Sequence, residues 1–378
     1  MTGGVTQPKG FKASGIWCGI KRTGKPDLSL IVSDVPCIAA GVFTRNSVKA
    51  APLVVTRNHL ANGQARAIVT NSGNANCFTG KFGLTYAKAM AKIMAAQLGI
   101  RPNDVLVSST GIIGKPLPIK KITAGIPELA VSARRSKLQG TRAAQAIMTT
   151  DTKVKEIAVQ FKLGSKTVTI GGCAKGSGMI EPNMATMLAF VTTDVMISRP
   201  LLKKALKQAI DESFNMITVD GCTSTNDMAV VLTNGMAGNP CIRTEGKHFR
   251  EFCNALKFVC LDLAKKIVKD GEGATKLFQI HVSGAPTVIA ARKAARAVAK
   301  SDLVKTAAYG KNANWGRIAA AIGSVGLNVT EKTLKIKTRQ MTKSHIIIQA
   351  DLGIGSKKAM ALTCDLTEEY IKINGKYN

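Results

Sequence analysis

The stretch Gly171 to Phe190, GGCAKGSGMIEPNMATMLAF, gathers the residue types that acyl chemistry needs. A glycine-rich turn, Lys175-Gly176-Ser177-Gly178, leads through Pro182 and Asn183 into Met184-Ala185-Thr186-Met187-Leu188. A threonine hydroxyl is a weak nucleophile until a base takes its proton. A threonine at a chain end can use its own α-amine as that base. Such an amine has a pKa of roughly 7.7–8.0, against ~10.4 for lysine, so part of it is neutral near pH 7. Thr186 is internal, so the chain would have to break between Ala185 and Thr186 to expose the amine. Without that break, Thr186 is an ordinary residue of an apolar strand, and residue type alone leaves both readings open.

Other groups carry weaker signals. Val105–Val107 runs into Ser108-Ser109-Thr110-Gly111, where a hydroxyl and a backbone N–H stand side by side. An oxyanion needs donors of that kind already in place. Glu272 stands between two glycines in DGEGATK, either as a partner for a cationic ligand or as a solvated turn acid. Two polar loops follow strand signals, Gly41–Asn46 (GVFTRN) and Asn71–Asn76 (NSGNAN), and in the second asparagines cluster around a glycine, where they can bond their own backbone. Those loops either connect strands or line a site. The histidines, His59, His248, His281 and His345, form no HxxxH or HExxH, and the nine cysteines form no CxxC. A metal site is therefore not expected, and most cysteines read as small buried hydrophobes. No GxxxxGK[ST] phosphate loop occurs.

These residues need a scaffold to position them. Strands are predicted at Leu28–Val32, Pro36–Phe43, Pro52–Thr56, Ala67–Thr70 and Val105–Val107. Ile157–Leu163 alternates, turns at Gly164-Ser165-Lys166 and returns as Thr167–Ile170, delivering the chain to the central stretch. A further strand is predicted over the Ala185–Val191 run, and others at Met228–Leu232, Phe278–Val282, Thr333–Lys337, His345–Ala350 and Ala359–Leu362. Helices are predicted at Thr85–Leu98, Lys120 to about Arg135, Pro200–Phe214, Phe249–Val268, Ala290–Lys300 and from Trp315 onward. His281 points away from Phe278, Ile280 and Val282, which makes it exposed or structural rather than catalytic.

Composition bounds the class. The chain has 378 residues, 45% of them hydrophobic, enough for a large core. No segment approaches the ~18 continuous apolar residues of a membrane span, and the first residues show no targeting pattern, so a cytoplasmic protein is expected. Lys and Arg number 53 against 23 Asp and Glu, a net charge of +30. That excess would draw nucleic acid or acidic small molecules. The basic residues are spread along the chain, however, with no zinc-finger spacing or RNP motif, which favours a generally basic surface over a nucleic-acid partner.

Taken together, GVTQPKGF, GVFTRN, NSGNAN, SSTGIIG, MTTDT, AKGSGMIEPNMATML, ITVDGCTSTNDM, DGEGATK, NWGRI and TCDLT resemble the ornithine acetyltransferase family, the glutamate N-acetyltransferases of arginine biosynthesis. The resemblance implies an α+β, αββα-like fold of the self-processing kind with an N-terminal threonine nucleophile. It implies cleavage at Ala185–Thr186 into an α chain, 1–185, and a β chain, 186–378, assembled as two α and two β chains. It gives Thr186 as nucleophile, Thr110 and Gly111 as oxyanion hole, and Thr149, Lys175, Thr186, Glu272 and Asn374 as substrate contacts. Acetyl would pass from N-acetylornithine to glutamate through a threonine ester, in a ping-pong scheme without metal or bound cofactor. Acetyl-CoA is a possible second donor. The alternative is a self-processing amidase or aminopeptidase of related architecture, with water as acceptor. The chain departs from the family pattern at Cys222 and Asn312, where aspartates are expected, and at its end, where a hydroxyl residue is expected five positions after Asn374 but the last residue is Asn378.

Overall fold

The computed structural model describes residues 4–181, 187–339 and 343–376. Two sheets divide the strands. The larger sheet contains β1 (Phe11–Ile16), β2 (Leu28–Phe43), β3 (Gln64–Asn74), β4 (Val105–Ile112), β5 (Lys155–Leu163), β6 (Lys166–Lys175), β7 (Leu188–Thr193) and β8 (Met228–Thr233). Its order is β4-β3-β2-β8-β7-β6-β5, with β1 added on β2. The β3–β4 and β7–β8 pairs are parallel. The two strands expected at Leu28–Val32 and Pro36–Phe43 are the two arms of β2. Its register on β3 slips between Val32 and Cys37, where Pro36 lies. The approach to β8 meets the end of β4, where Asn226 Nδ2 donates to Ser109 O at 2.8 Å. Phe11, Ile31, Leu53, Ile68, Phe190 and Val230 share one core on this sheet.

Helices cover the sheet. The strand expected over Pro52–Thr56 is a helix, α1 (Ala51–His59). Val54-Val55 has strand character, but Pro52 suits a first helical turn, where its missing N–H costs nothing. The helix also buries Leu53 and Val55 and lets Thr56 Oγ1 donate to Val107 O at 2.6 Å. α2 (Gly80–Leu98) and α3 (Ile119–Val131) pack Met90, Met94, Ile122 and Ile126 on Val69 and Val105. The helix expected to reach Arg135 stops at Val131. A separate helix, α4 (Lys137–Ala146), starts at Ser136, whose Oγ accepts from Gln139 N at 3.2 Å. Its buried face is Gly140, Ala143, Ala144 and Ala146, too small to show as an apolar stripe in the sequence. That smallness serves close packing: a Cβ on Gly15 of β1 would lie 2.2 Å from Arg142 O. α5 (Arg199–Asp211) packs against α6 (Lys247–Lys269), and α6 lies on β5 and β6. The expected stripe of α6, Phe252, Leu256, Val259, Leu263 and Ile267, is fully buried.

The smaller sheet has the order β10-β11-β9-β12, from β9 (Leu277–Ala285), β10 (Lys335–Arg339), β11 (His345–Asp351) and β12 (Lys357–Cys364). One face meets α7 (Val288–Lys300) and α9 (Trp315–Gly323), with α8 (Asp302–Tyr309) beside them. Leu277 and Leu362 join the core of α6. His281 is half-buried, opposite Phe278 and Ile280 as expected, and burial lowers its pKa. The last element is α10 (Glu368–Gly375), with Thr367 Oγ1 accepting from Tyr370 N. The class is mixed α+β. Among the described residues no helix is long and apolar enough to cross a membrane. Of the strand expected from Ala185, the described part begins at Leu188; Ala185, Thr186 and Asn378 lie outside the described residues.

Candidate active site

A cavity of about 130 Å³ opens where β4, β6, β7 and β8 meet. Its lining includes Thr110, Gly111, Thr149, Lys175, Glu272 and Asn374, each singled out in the sequence. The first four precede the Ala185–Thr186 bond and the last two follow it. Met187, bonded directly to Thr186, also lines the cavity. A second groove of about 500 Å³, lined by Gly41–Arg45 of the GVFTRN loop with Lys49, Arg57, Lys203 and Lys207, contains none of the expected catalytic or substrate-contacting residues.

Thr110 and Gly111 end β4 beside the parallel strand β3, opposite Ser72 and Gly73. Gly111 has φ +133°, and a Cβ there would fall 2.3 Å from Gly73 C and 2.5 Å from Asn74 N. Only glycine lets β3 approach this closely with that backbone. The asparagines of the β3 exit hold the turn. Asn71 Nδ2 donates to Asn74 O at 2.9 Å, Asn74 Oδ1 accepts from Asn76 N at 2.8 Å, and Asn76 Nδ2 donates to Gly83 O at 2.9 Å. The cluster therefore braces the backbone, while Ala75 within it faces the cavity.

Lys175 ends β6 with 8% of its surface exposed, and its Nζ donates to Thr110 Oγ1 at 3.4 Å. Burial lowers its pKa, and Asp151 opposes the shift. Asp151 accepts from Gly176 N at 2.6 Å and Thr149 N at 3.0 Å, so one carboxylate orients both the glycine turn and the Thr149 loop. Burial opposes its ionisation, but Lys175 and Lys155 together hold the carboxyl below the usual range. Lys155 is only 1% exposed and bridges Asp151 and Asp270, each at 2.6 Å. The sequence offered no sign of this buried triad, because Asp270 is 115 residues from Lys155.

Glu272 lies against the glycine turn. Its N–H donates to Ser177 O at 2.8 Å, and a Cβ on Gly178 would strike its carboxylate at 2.2 Å. Asn374 Nδ2, on α10, donates to Glu272 Oε2 at 2.8 Å. The two form a polar wall with a carboxylate for a substrate ammonium. Asp365 fixes the same turn from β12 by accepting from Thr275 N and Lys276 N, each at 2.9 Å.

Both ends of the 182–186 segment are anchored. Before it, Met179 takes φ +55°, a region costly for a side chain with a Cβ. Asp220 holds it by accepting from Met179 N at 2.6 Å and Ile180 N at 2.9 Å. Val219 N donates to Ile180 O at 2.7 Å and Glu181 N to Cys222 O at 3.0 Å. After it, Leu188 pairs with Lys175 of β6 and Met228 of β8.

The 223–227 loop supplies residues the sequence did not single out. Asn226 Nδ2 donates to Ala75 O at 2.6 Å and Ser109 O at 2.8 Å, tying the start of β8 to the Thr110–Gly111 end of β4. Asp227 lines the cavity at 2% exposure. Burial drives its carboxyl well above the usual range, with Ser224 and Lys175 pulling the other way. An acid placed just before an all-apolar strand was the only available signal. Neither departure from the expected aspartates lines the cavity. Cys222 contributes its backbone carbonyl to Glu181, and Asn312 Oδ1 accepts from Asn314 N at 3.0 Å, as an aspartate would.

Residues 12–378 match the profile of the ArgJ family. The arginine biosynthesis bifunctional protein ArgJ of Symbiobacterium thermophilum is 49% identical, covering 100% of this chain and 99% of that protein. Its namesake from Bacillus subtilis is 44% identical, covering 100% and 97%. Among solved structures, the Bacillus halodurans protein of that name is 46% identical, covering 49% of this chain and 95% of the solved chain, with a TM-score of 0.47. Ornithine acetyltransferase from Mycobacterium tuberculosis, solved with ornithine, is 42% identical, covering 49% and 97%, also with a TM-score of 0.47. By the profile match over residues 12–378 and the identity to the full-length relatives, this chain belongs to the ArgJ family.

Proposed function

We infer that the protein transfers acetyl from N2-acetyl-L-ornithine to L-glutamate, in arginine biosynthesis, after breaking its own chain at Ala185–Thr186. The observation that carries this reading is the single cavity shared by Thr110, Gly111 and Lys175, from before that bond, and Glu272 and Asn374, from after it. In the mature enzyme, Thr186 Oγ attacks the acetyl carbonyl and its α-amine takes the proton. The Thr110 hydroxyl and Gly111 N–H receive the oxyanion, an interaction whose loss typically costs on the order of 3 kcal/mol of barrier. The C–N bond breaks, and ornithine leaves with the proton from the α-amine. Glutamate then enters, its amine attacks the threonine ester, and the hydroxyl is restored.

The residue chemistry suits both amino acids. Lys175, paired with no single carboxylate at contact distance, can hold a substrate carboxylate, and Thr149 offers a hydroxyl nearby. Glu272 and Asn374 suit an ammonium group. No resident metal or cofactor is required by this scheme. The word bifunctional in the relatives' names supports acetyl-CoA as a second donor for glutamate. The protein would work in the cytoplasm, as chains 1–185 and 186–378 assembled two and two.

Denaturing electrophoresis with N-terminal sequencing tests the processing. Two bands of similar size are expected, one beginning at Thr186, and Thr186→Ala should leave one band. Product analysis tests the transfer. Acetylglutamate must form from acetylornithine in step with free ornithine. Release of acetate at the same rate without glutamate would point instead to an amidase.

A further inference from the structure

The transfer scheme leaves Asp227 unused. Its side chain is buried in the wall of the cavity, and Oδ2 accepts no hydrogen bond from any described residue. A buried carboxylate oxygen without a donor is costly, so the group must either hold a proton or wait for a donor to arrive. Its backbone is pinned, with Thr44 N donating to Asp227 O at 3.0 Å. The next residue, Met228, donates its N–H to Met187 O at 3.1 Å. Met187 is covalently joined to Thr186. The carboxyl therefore stands one residue before β8, whose first residue bonds to Met187, the neighbour of Thr186 after the scissile bond, in the cavity that also contains the Thr110–Gly111 pair.

Chain breaking needs such a group. Before the break Thr186 has no α-amine, so the proton acceptor of the mature enzyme does not exist. We propose, on the reading of Thr186 as the self-processing nucleophile, that Asp227 relays the proton in the chain-breaking step. Thr186 Oγ attacks the carbonyl carbon of Ala185, and one oxygen of the neutral carboxyl takes the hydroxyl proton. The C–N bond breaks as the proton on the other carboxyl oxygen passes to the departing nitrogen of Thr186. An Ala185–Thr186 ester and a free α-amine result, and Asp227 ends neutral, as it began. Water then opens the ester, leaving a carboxylate on Ala185 and the hydroxyl on Thr186, and the new amine takes the released proton. Burial, which raises the pKa of Asp227, favours the protonated carboxyl that this step begins from.

The test is a pulse-chase of the full chain, with the two products resolved on a denaturing gel. D227N keeps the shape of the side chain but cannot pass a proton between two oxygens. Its splitting should slow by about a hundredfold or more, the usual span of acid–base assistance, with a Tm within a few degrees of wild type. D227A should be equally slow, and added formate should restore its splitting. D227N splitting at the wild-type rate would overturn the proposal. So would a folded D227A chain that formate leaves unsplit, because that result would mean only packing was lost. If D227A fails to fold, D227N decides alone. A wild-type chain that stays whole would remove the self-processing reading itself, whereas rapid splitting of both wild type and D227N would remove only the role of Asp227.

Discussion

In the smaller sheet, Phe278, Ile280 and Val282 of β9 and Ile346 and Ile348 of β11 are buried, and they alternate with half-buried or exposed Gln279, His281 and Gln349. Where the strands of the larger sheet meet at and beside the cavity, the buried residues include Thr110, Asp151, Lys155, Lys175 and Asp227. The first arrangement follows the two-residue period of a strand with an apolar face and gains stability from it. The second removes charges from water, which is costly unless each has a partner. The difference shows where the chain gives up stability to keep charged groups buried beside a cavity, and variants in the two regions should fail in different ways.

The largest effect is expected at Lys155. Lys155→Met would leave Asp151 and Asp270 without the cation they share, costing about 3–5 kcal/mol, read from the urea midpoint at unchanged slope. The folded-state pKa of Asp151 is depressed, so its share of stability is present above the ordinary value near ~4 and is lost as pH falls towards the folded value. The wild type should therefore lose stability on acidification, and the Lys155→Met chain should lose less of it. Gly111→Ala comes next. A methyl group 2.3 Å from Gly73 C must push β3 and β4 apart, misplacing an oxyanion donor and lowering kcat by about 10²–10³.

Ile348→Ala, in the smaller sheet, sharpens the contrast. The truncation should cost about 3 kcal/mol, the middle of the range for such cavities, while kcat and KM of the folded enzyme stay at wild type. An equal loss of activity would mean that the two regions are coupled. The smallest effect is expected at Glu272→Gln, which keeps the acceptor for Asn374 but removes the charge offered to an ammonium. A charge-assisted hydrogen bond is worth about 1.5–3 kcal/mol, so KM should rise roughly tenfold to a hundredfold with little change in Tm.

Local chemistry made much of the scaffold legible. The stripe of α6 appears at helical spacing, the β5–β6 hairpin as alternation around Gly164, and the end of β4 at Thr110–Gly111, because each depends on residues a few positions apart. The error at α1 has the same origin. Val54 and Val55 favour a strand, and the helix is decided by Pro52 in its first turn together with the contact of Thr56 with β4. α4 was missed because a helix packed closely on β1 needs glycine and alanine, which leave no apolar signal.

By itself, the sequence determined which residues could do chemistry and in what order they occur along the chain: the hydroxyl of Thr110, the amine of Lys175, the carboxylate of Glu272 and the Ala185–Thr186 bond. Only the tertiary structure decided that Asp151 and Asp270 share Lys155, that Asn226 ties β8 to β4, and that Asp227 keeps a carboxyl oxygen in the cavity wall without a donor among the described residues. The physical reason is distance along the chain. Burial and charge pairing depend on what surrounds a group in space, and here those neighbours come from segments more than a hundred residues apart in the chain.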